Sequence, residues 1–465
     1  MAEEGAIGME TSTSSNAGIT NPVQSSPDNV TESSPSSPTP SSPTQPSAPE
    51  PAPTGPVYYL SPTGNDSNAG TSSAPWRTIQ KAASTVSAGA TVILKDGNYE
   101  EPSVSFRRSG TADKPITFKA QNKWKAVLSS TSGCNPGFSI KASYITVKDM
   151  RFSVSPKNVA CSTFSSANVA IRAWESTPPS PSNPSTGYVG FVADGVYVDA
   201  GLGRDVGIKS NQDYSIIQNS EIGNDVNLLN NRDSIIRNNV IFGQNRHGIS
   251  IVAKGGVRNA QIYGNVIRNK STKGQAIYLG GYSCDACHFD TKTNIEAYNS
   301  VAYNNVIINE SGVDMVGLVF QGAHNSAFFN NVVVGGQISM QLGGHNSGPQ
   351  ASVHNPKFVN NIVICTSGDP AQSPRGWSGN YTGTLTVDHN NFNNCTGTLA
   401  QAHPVTGDPL FVNRTSDWRL QSGSPALNTG TPVSFKGYGG ETIDVSRDKN
   451  GAVRTAPWDL GVYNQ

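Results

Sequence analysis

A short apolar run interrupted by asparagine recurs six times between residues 216 and 364. The runs read IIQNSEI (216–222), IIRNNVI (235–241), QIYGNVI (261–267), YNNVII (303–308), FNNVVV (329–334) and VNNIVI (359–364). Each run is too short to bury its own apolar face, so the runs must stack on one another to form a core. This pattern predicts an all-β solenoid, a single-stranded parallel β-helix.

The asparagines of the runs fall into one column when the runs are superimposed: Asn239, Asn265, Asn305, Asn331 and Asn361. Side-chain amides spaced by about 4.8 Å can hydrogen-bond along such a stack. Asparagine also tolerates the left-handed backbone that a tight corner needs. We therefore expect a buried ladder of amides at one corner of each coil, and the general preference for right-handed crossovers predicts a right-handed helix.

The 465 residues divide into two kinds of sequence. Residues 1–56 are rich in Ser, Pro and Thr and are predicted to be a disordered linker of extracellular type. Residues 57–465 form the predicted β-helix domain, because a solenoid grows by adding coils. The first residues lack the basic and apolar regions of a secretory signal peptide.

The charge balance argues against two classes of partner. Acidic and basic residues number 33 each, so no whole-chain field favours nucleic acid or a membrane surface. No apolar run approaches the ~20 residues of a membrane span. We expect a monomer.

Six cysteines are present, and an even number is compatible with disulfides in a secreted protein. The candidate bridges are Cys284–Cys287, Cys134–Cys161 and Cys365–Cys395. The alternatives are six buried thiols, or a zinc site that uses Cys284, Cys287 and His288. The zinc alternative lacks a second Cys/His pair at ligand spacing.

The start of the domain carries apolar residues at helical spacing, namely Trp76, Ile79, Ala83 and Val86. This spacing predicts a short helix. Since the first coil of a solenoid otherwise exposes its edge, the helix is expected to cap it.

The two ends of residues 57–465 resemble secreted right-handed parallel β-helix proteins of the pectate lyase-like superfamily, which includes pectate, alginate and chondroitin lyases. The similar segments are YYLSPTGNDSNAGT (58–71), PWRTIQKAAS (75–84), GDPLFV (407–412), SPALNTG (424–430) and WDLGVY (458–463). The resemblance implies a pectin lyase-like solenoid, secretion and a polysaccharide partner. These segments specify the fold and say little about chemistry.

A second alignment with period 2 predicts which strand residues face outward. The strands DVGIK (205–209), DVNLL (225–229), GISIV (248–252), AIYLG (276–280), GLVFQ (317–321) and SMQLG (339–343) share two apolar columns. In this register Asp205 and Asp225 stack about 5 Å apart and face outward with Lys209. Arg246 and His247 enter the next strand and are further candidate catalytic residues at the edge of this patch.

Two carboxylates this close can share a cation, and Ca²⁺ prefers oxygen ligands. We expect a Ca²⁺ site at Asp205 and Asp225, with Asp199 from the preceding coil, that holds an acidic sugar. Lys209 would then act as the base of a β-elimination. VGIKS (206–210) resembles the lysine strand of alginate and chondroitin lyases, and this implies that Arg232 assists one coil later.

Two insertions, 173–190 and 281–299, interrupt the repeat and are expected to build the walls of a binding groove. Trp174, Tyr278 and Tyr282 are candidates for stacking on sugar rings, and Lys254 for contacting an acidic polymer. Anchoring of the loops is the alternative role of these aromatic residues.

Three other functions fit parts of the sequence. The succession of Asp205, Asp225 and Arg246-His247 resembles the coils of polygalacturonases, which are glycosidases, but Asn224 replaces the first acid of their Asp-Asp pair. Carboxylates about 5 Å apart are also too close for an inverting hydrolase. The Arg-His-Gly segment resembles mannuronan epimerases, which need an Asp-Pro-His motif that is absent. The third function is that of a non-enzymatic solenoid, an adhesin or a polysaccharide-binding protein. In it the carboxylates would cap corners and Lys209 would be solvated.

Overall fold

The computed structural model describes residues 52–130, 137–154, 169–174, 187–199, 206–243, 249–270, 274–283, 288–290, 292–311, 315–341, 343, 350–365, 381–395 and 400–465. Within these ranges the compact unit Pro53–Gln465 is built from long stacks of short strands. Most of the segment 1–56, predicted to be a linker, lies outside the described residues.

Three stacked sheets form the walls of the solenoid, and the chain passes through them in the order A, B, C in each coil. Sheet A contains Val57–Leu60, Thr91–Leu94, Ile116–Ala120, Ile145–Lys148, Val192–Asp194, Ile216–Gln218, Ile235–Arg237, Gln261–Tyr263, Val301–Tyr303, Ala327–Phe329, Lys357–Val359 and Thr386–Asp388. Sheet B contains Gly97–Glu100, Ala126–Ser130, Arg151–Val154, Tyr197–Val198, Glu221–Ile222, Val240–Gly243, Val266–Asn269, Val306–Asn309, Val332–Val334, Ile362–Ile364 and Asn391–Asn393. Sheet C contains Val104–Phe106, Phe138–Ile140, Val169–Ala173, Val206–Ser210, Asp225–Leu229, Ile249–Lys254, Gln275–Gly280, Val316–Gln321 and Gln337–Gln341.

A smaller sheet D lies at the corner between sheets C and A of the later coils. It contains Val257–Arg258, Ala297–Tyr298, Ala323–His324, Val353–His354 and Tyr381–Thr382. Strands of neighbouring coils pair in parallel in all four sheets, as Ile235↔Gln261 does in sheet A. Two antiparallel hairpins follow the solenoid: Phe411–Asn413 with Asp417–Leu420, and Phe435–Lys436 with Thr442–Ile443. The predicted parallel β-helix is confirmed.

The amide ladder lies at the corner between sheets A and B. Each amide of the column donates from Nδ2 to Oδ1 of the next at 2.9–3.0 Å, from Asn239 to Asn361. Asn361 continues the ladder to Asn390 at 3.0 Å. All of these side chains are buried, so the predicted column and its register are confirmed.

The left-handed corner position belongs to the residue before each ladder amide. Asn238, Asn304, Asn330 and Asn360 have φ between 52° and 62°, and Gly264 has φ 68°. The first residue of each Asn-Asn pair therefore turns the chain, and the second forms the ladder. One dipeptide supplies both properties of asparagine that the corner needs.

The interior of the solenoid is one apolar cluster that runs from Leu60 to Val387. The C-terminal segment 400–465 packs on the outside, where Trp418 and Leu460 cover the apolar outer face of sheet B. Phe435 and Ile443 cover sheet A in the same way. Among the described residues, no hydrogen bond joins this segment to sheet C.

The capping helix of the first coil is Ile79–Thr85, and its expected apolar residues are buried. The Thr78 side chain accepts a hydrogen bond from the Lys81 N–H, as an N-cap should. The Gln80 side chain accepts from the Ser105 N–H at 2.8 Å and donates to the Ser105 carbonyl at 3.2 Å. Because Ser105 lies on the edge strand of sheet C, the helix satisfies backbone groups that an edge otherwise exposes.

A disulfide joins Cys365 to Cys395 on adjacent coils, which confirms one of the three expected bridges. The other four cysteines lie outside the described residues. Within the described part of the chain, no helix is long and apolar enough to span a membrane.

Candidate functional site

The outward face of sheet C carries a row of polar side chains on three consecutive strands. In the strand register, Lys209 lies beside Arg172 on one neighbouring strand and beside Asn227 on the other. The neighbouring residues Ile208 and Val226 point into the core, so these three side chains face away from it. Each of the three is only 8% exposed.

The register of sheet C differs from the predicted one. Ile208 pairs with Val226 rather than with Leu228, and Val226 pairs with Ile251 rather than with Ile249. The inward columns are therefore correct in face but are displaced by two residues at these pairs, whereas Ile277 pairs with Leu318 as predicted. The displacement places Asn227, not Leu229, beside Lys209.

An irregularity in the strand pairing sets the position of Asp225, which pairs with Val206. At Gly207 a Cβ atom would lie 2.6 Å from Ile222 Cγ2 and 3.0 Å from the Asp225 carbonyl oxygen. Only glycine fits this close approach. Asp205, Arg246 and His247 lie outside the described residues, so the predicted stack of Asp205 on Asp225 stays a prediction.

The side chains at and next to Asp225 offer oxygen atoms of the kind that bind a hard cation. Asp225 and Asn227 lie two residues apart on one strand and therefore share a face. The Asn227 Oδ1 atom is buried and accepts no hydrogen bond from any described residue, and the same holds for Asn224 Oδ1. Orphaned buried oxygens are costly, and carboxylate and amide oxygens are the ligands that Ca²⁺ prefers.

Asp199 does not lie with this group. It follows the sheet B strand Tyr197–Val198 and accepts hydrogen bonds from Arg151, from Nη2 at 2.8 Å and from Nε at 3.1 Å and 3.3 Å. An acid on another wall of the solenoid, already held by a guanidinium, is not a ligand shared with Asp225.

Trp174 lies directly after the Arg172 strand, where the first insertion begins. The Arg172 guanidinium carbon is 3.1 Å from the centroid of the Trp174 ring, and Lys141 Nζ is 5.2 Å from it. This cation–π contact covers one face of the indole. The tryptophan therefore positions Arg172 beside Lys209 and leaves at most one ring face for a sugar.

The other three expected binding residues have different surroundings. Tyr278 is buried in an apolar patch with Val252 and Val319 on the outward face of later strands, and burial raises the pKa of its hydroxyl. Lys254 donates from Nζ to the Tyr282 carbonyl oxygen at 2.8 Å, and so it anchors the second insertion. The Tyr282 side chain is 40% exposed, which keeps it available to a ligand.

Arg232 lies at the corner between sheets C and A, not on sheet C. Its Nε donates to Asp213 Oδ2 at 2.8 Å, and its backbone N–H donates to Asp213 Oδ1 at 2.9 Å. Burial raises the pKa of Asp213, and these contacts offset the rise only in part. Arg232 lies one coil after Lys209 as expected, and it forms an ion pair with Asp213 that holds the corner.

A buried cluster that sequence reasoning missed anchors the second insertion. Glu296 Oε1 accepts from the Ser283 N–H and contacts His288 Nε2, both at 2.9 Å. Glu296 Oε2 accepts from the Ser283 hydroxyl at 2.7 Å and from the Gly255 N–H at 2.8 Å. The available sequence signal was a single carboxylate between the apolar residues Ile295 and Ala297.

Comparison with known proteins shows which of them this chain is similar to. The family model described as the right-handed β-helix region of Pel9A-like proteins matches residues 58–176. The uncharacterized protein YwoF of Bacillus subtilis (strain 168) is 25% identical over 324 residues, which cover 67% of this chain and 61% of YwoF. Pectate lyase PEL9 of Emericella nidulans is 41% identical over 63 residues, which cover 13% of this chain and 15% of that enzyme. The chain thus aligns with less than two thirds of the length of either relative.

Two solved structures share the fold over most of their length. The pectate lyase Pel9A has a TM-score of 0.51 at 16% identity and covers 89% of this chain and 97% of its own. XylC in complex with xylose has a TM-score of 0.52 at 12% identity and covers 88% of this chain and 98% of its own. These matches confirm the expected right hand of the solenoid. In fold, the chain is a right-handed parallel β-helix protein that is similar to pectate lyases.

Proposed function

We propose that this chain is a carbohydrate-active enzyme, a polysaccharide lyase that binds a uronate-containing polymer along the outward face of sheet C. The observation that carries the proposal is the row of Arg172, Lys209 and Asn227 on adjacent strands, with Asp225 beside it. A base, a second cation and oxygen donors within one row form the set that acidic-sugar elimination needs. Similarity to PEL9 and Pel9A, both named as pectate lyases, supports this class.

The reaction can be assigned to side chains step by step. Lys209, in its neutral form, takes the proton from the carbon that bears the uronate carboxylate. The electron pair left behind forms a carbon–carbon double bond and expels the 4-linked sugar oxygen, which takes up one proton from solvent water. Arg172 is placed to bind the substrate carboxylate, and this contact stabilises the negative charge that develops there.

Asp225 and Asn227 would hold a calcium ion, with Asp205 as the expected third ligand. When bound, the ion would neutralise the uronate carboxylate and so make the adjacent proton more acidic. The roles of Trp174 and Tyr282 are to orient Arg172 and to offer an exposed ring to a sugar, respectively. We also infer an extracellular location, because a disulfide such as Cys365–Cys395 persists in oxidising compartments.

The test is incubation of the full chain with a panel of polyuronates, with calcium or with a chelator. Ultraviolet absorbance of the new double bond reports lyase activity. Reducing ends without that absorbance would indicate a hydrolase, and saturable binding without products would indicate a binding protein.

Two substitutions assign the chemistry. Lys209→Ala should reduce kcat by at least about 10²-fold, since general-base catalysis contributes that much. Lys357→Ala is the matched control, because Lys357 is a half-buried lysine on sheet A, away from the row. Full activity of Lys209→Ala on an active wild type would exclude the lysine from the reaction.

A further inference from the structure

A second group of chemically active side chains lies at the far end of the solenoid, away from sheet C. Asp388 is the last residue of the final sheet A strand, and His389 follows it. His403 comes from the C-terminal segment that runs beside this coil. A ring nitrogen of each histidine and a carboxylate oxygen of Asp388 all lie within 4.8 Å of one another.

Both imidazoles converge on the same carboxylate oxygen. His403 Nδ1 lies 3.0 Å from Asp388 Oδ2, and His389 Nδ1 lies 3.2 Å from it. The two rings stack with centroids 4.5 Å apart. Ligands at 2.0–2.1 Å from a tetrahedral metal are about 3.3 Å from each other. The separations between nitrogen and oxygen are thus already close to those of a metal-bound triad.

The last coil has a different residue at the corner between sheets A and B than the coils before it. The left-handed position is Asn in the three preceding coils, at Asn304, Asn330 and Asn360, and it is His389 here, with φ 49°. Asparagine suits this backbone at least as well as histidine. Histidine in place of asparagine at this position puts an imidazole next to Asp388 in the one described coil that His403 contacts.

The C-terminal segment is held in place to bring His403 to the corner. Gln401 Oε1 accepts from the backbone N–H of Asn390 at 2.8 Å and from its Nδ2 at 3.0 Å, which ends the amide ladder. The His403 backbone N–H donates to Asp388 Oδ1 at 2.9 Å. Although burial opposes ionisation, the hydrogen bonds from His403 and the proximity of His389 lower the pKa of Asp388, so its carboxylate stays charged.

We propose that Asp388, His389 and His403 bind a divalent transition-metal ion, zinc above all, which fastens the C-terminal segment to the last coil. Two imidazoles and one carboxylate suit Zn²⁺, whereas Ca²⁺ and Mg²⁺ prefer oxygen ligands alone. The His403 side chain is 65% exposed, so a water molecule can fill the fourth position. The zinc ion is separate from the calcium ion proposed at sheet C.

The test is calorimetric titration of zinc chloride into the metal-free, untagged full chain, followed by Co²⁺ substitution. Wild type should bind one equivalent at this site, and Co²⁺ should give the intense visible bands of a tetrahedral complex. His403→Ala and Asp388→Asn should each weaken zinc binding by more than about tenfold, since even an outer-shell partner contributes that much. His403 is exposed, so its loss leaves the fold intact.

His354→Ala is the control, because His354 is a histidine on sheet D with its own partner, Thr382. It should bind zinc as wild type does. Zinc should also raise the Tm of wild type and of His354→Ala but not that of His403→Ala. Equal zinc affinity in wild type and His403→Ala would overturn the proposal, as would a Co²⁺ spectrum that is unchanged by Asp388→Asn.

Discussion

Replacement of Asn331 tests the amide ladder most directly. Asn331 Oδ1 accepts from the Asn305 N–H and from its Nδ2, and Asn331 Nδ2 donates to the Ala302 carbonyl and to Asn361 Oδ1, all at 3.0 Å. Asn331→Leu leaves the Asn305 N–H without an acceptor, at a cost of about 1–3 kcal/mol. Asn305 Nδ2 and Asn361 Oδ1 each lose one hydrogen bond and keep one, which adds about 1 kcal/mol to this cost. The free energy of unfolding should fall by about 2–4 kcal/mol.

Asn331→Asp separates hydrogen bonding from volume, since the side chain keeps its shape. The introduced carboxyl would face two acceptors, Ala302 O and Asn361 Oδ1, in a buried site. An uncompensated buried charge costs about 3–5 kcal/mol at pH 7. Because the folded state raises the pKa of this carboxyl above its unfolded value, the destabilisation should grow as pH rises above about 4 and shrink below it.

The assay is urea unfolding followed by circular dichroism, with the midpoint compared at constant m-value. Asn98→Leu is the control, because Asn98 is exposed on sheet B and its hydrogen bond to Ser129 is at the surface. Its effect should stay below about 0.5 kcal/mol. If Asn331→Leu and Asn331→Asp both unfold at the wild-type midpoint at pH 7, the ladder does not stabilise the solenoid.

Two further predictions concern the corner of sheet D and the disulfide. Burial and the nearby His354 lower the pKa of His324 to about 4, so the unfolded state binds the extra proton between pH 6.5 and 4. The contribution of His324 to the free energy of unfolding should therefore be fully present above pH 6.5. It should fall by about 1–2 kcal/mol toward pH 4, after allowance for solvent screening. His324→Gln should remove this pH dependence from the urea midpoints. The Cys365–Cys395 bond closes a separation of 30 residues, so reduction or Cys395→Ala should lower the free energy of unfolding by about 3–4 kcal/mol. An unchanged midpoint after reduction, verified by thiol counting, would contradict this loop-entropy estimate.

The amide column and the sheet C register show what the sequence could and could not predict. Each Asn-Asn pair combines a left-handed residue and a ladder residue in fixed order, so only one superposition of the coils satisfies both. Sheet C has no such marker. Alternation assigns a face, but a shift of two residues preserves that face, so Ile208 matches Val226 as well as Leu228. The irregular pairing after Val206 resolves the choice, and the sequence signals it only through Gly207.

The same shift explains which of the candidate site residues the structure brings together. Lys209 and Asp225 stay on neighbouring strands of one sheet, because a two-residue shift does not change the face. Contacts across corners do not follow from strand alternation. Arg232 was assigned by its distance along the chain from Lys209, yet the turn that contains it leads from sheet C to sheet A, where Asp213 binds it. Asp199 was assigned in the same way and lies on sheet B.

The outward faces of the three sheets differ in polarity and in what covers them. Sheets A and B carry apolar outward residues such as Phe329 and Ile362, which the C-terminal segment covers. On sheet C the outward row is polar from Arg172 to Asn227 and turns apolar from Val252 onward. Arg172 and Lys209 are the charged side chains of this outward row, and both are nearly buried. This concentration of polar groups on one short stretch, where the later strands are apolar, supports the proposal that a polymer binds along the stretch from Arg172 to Asn227.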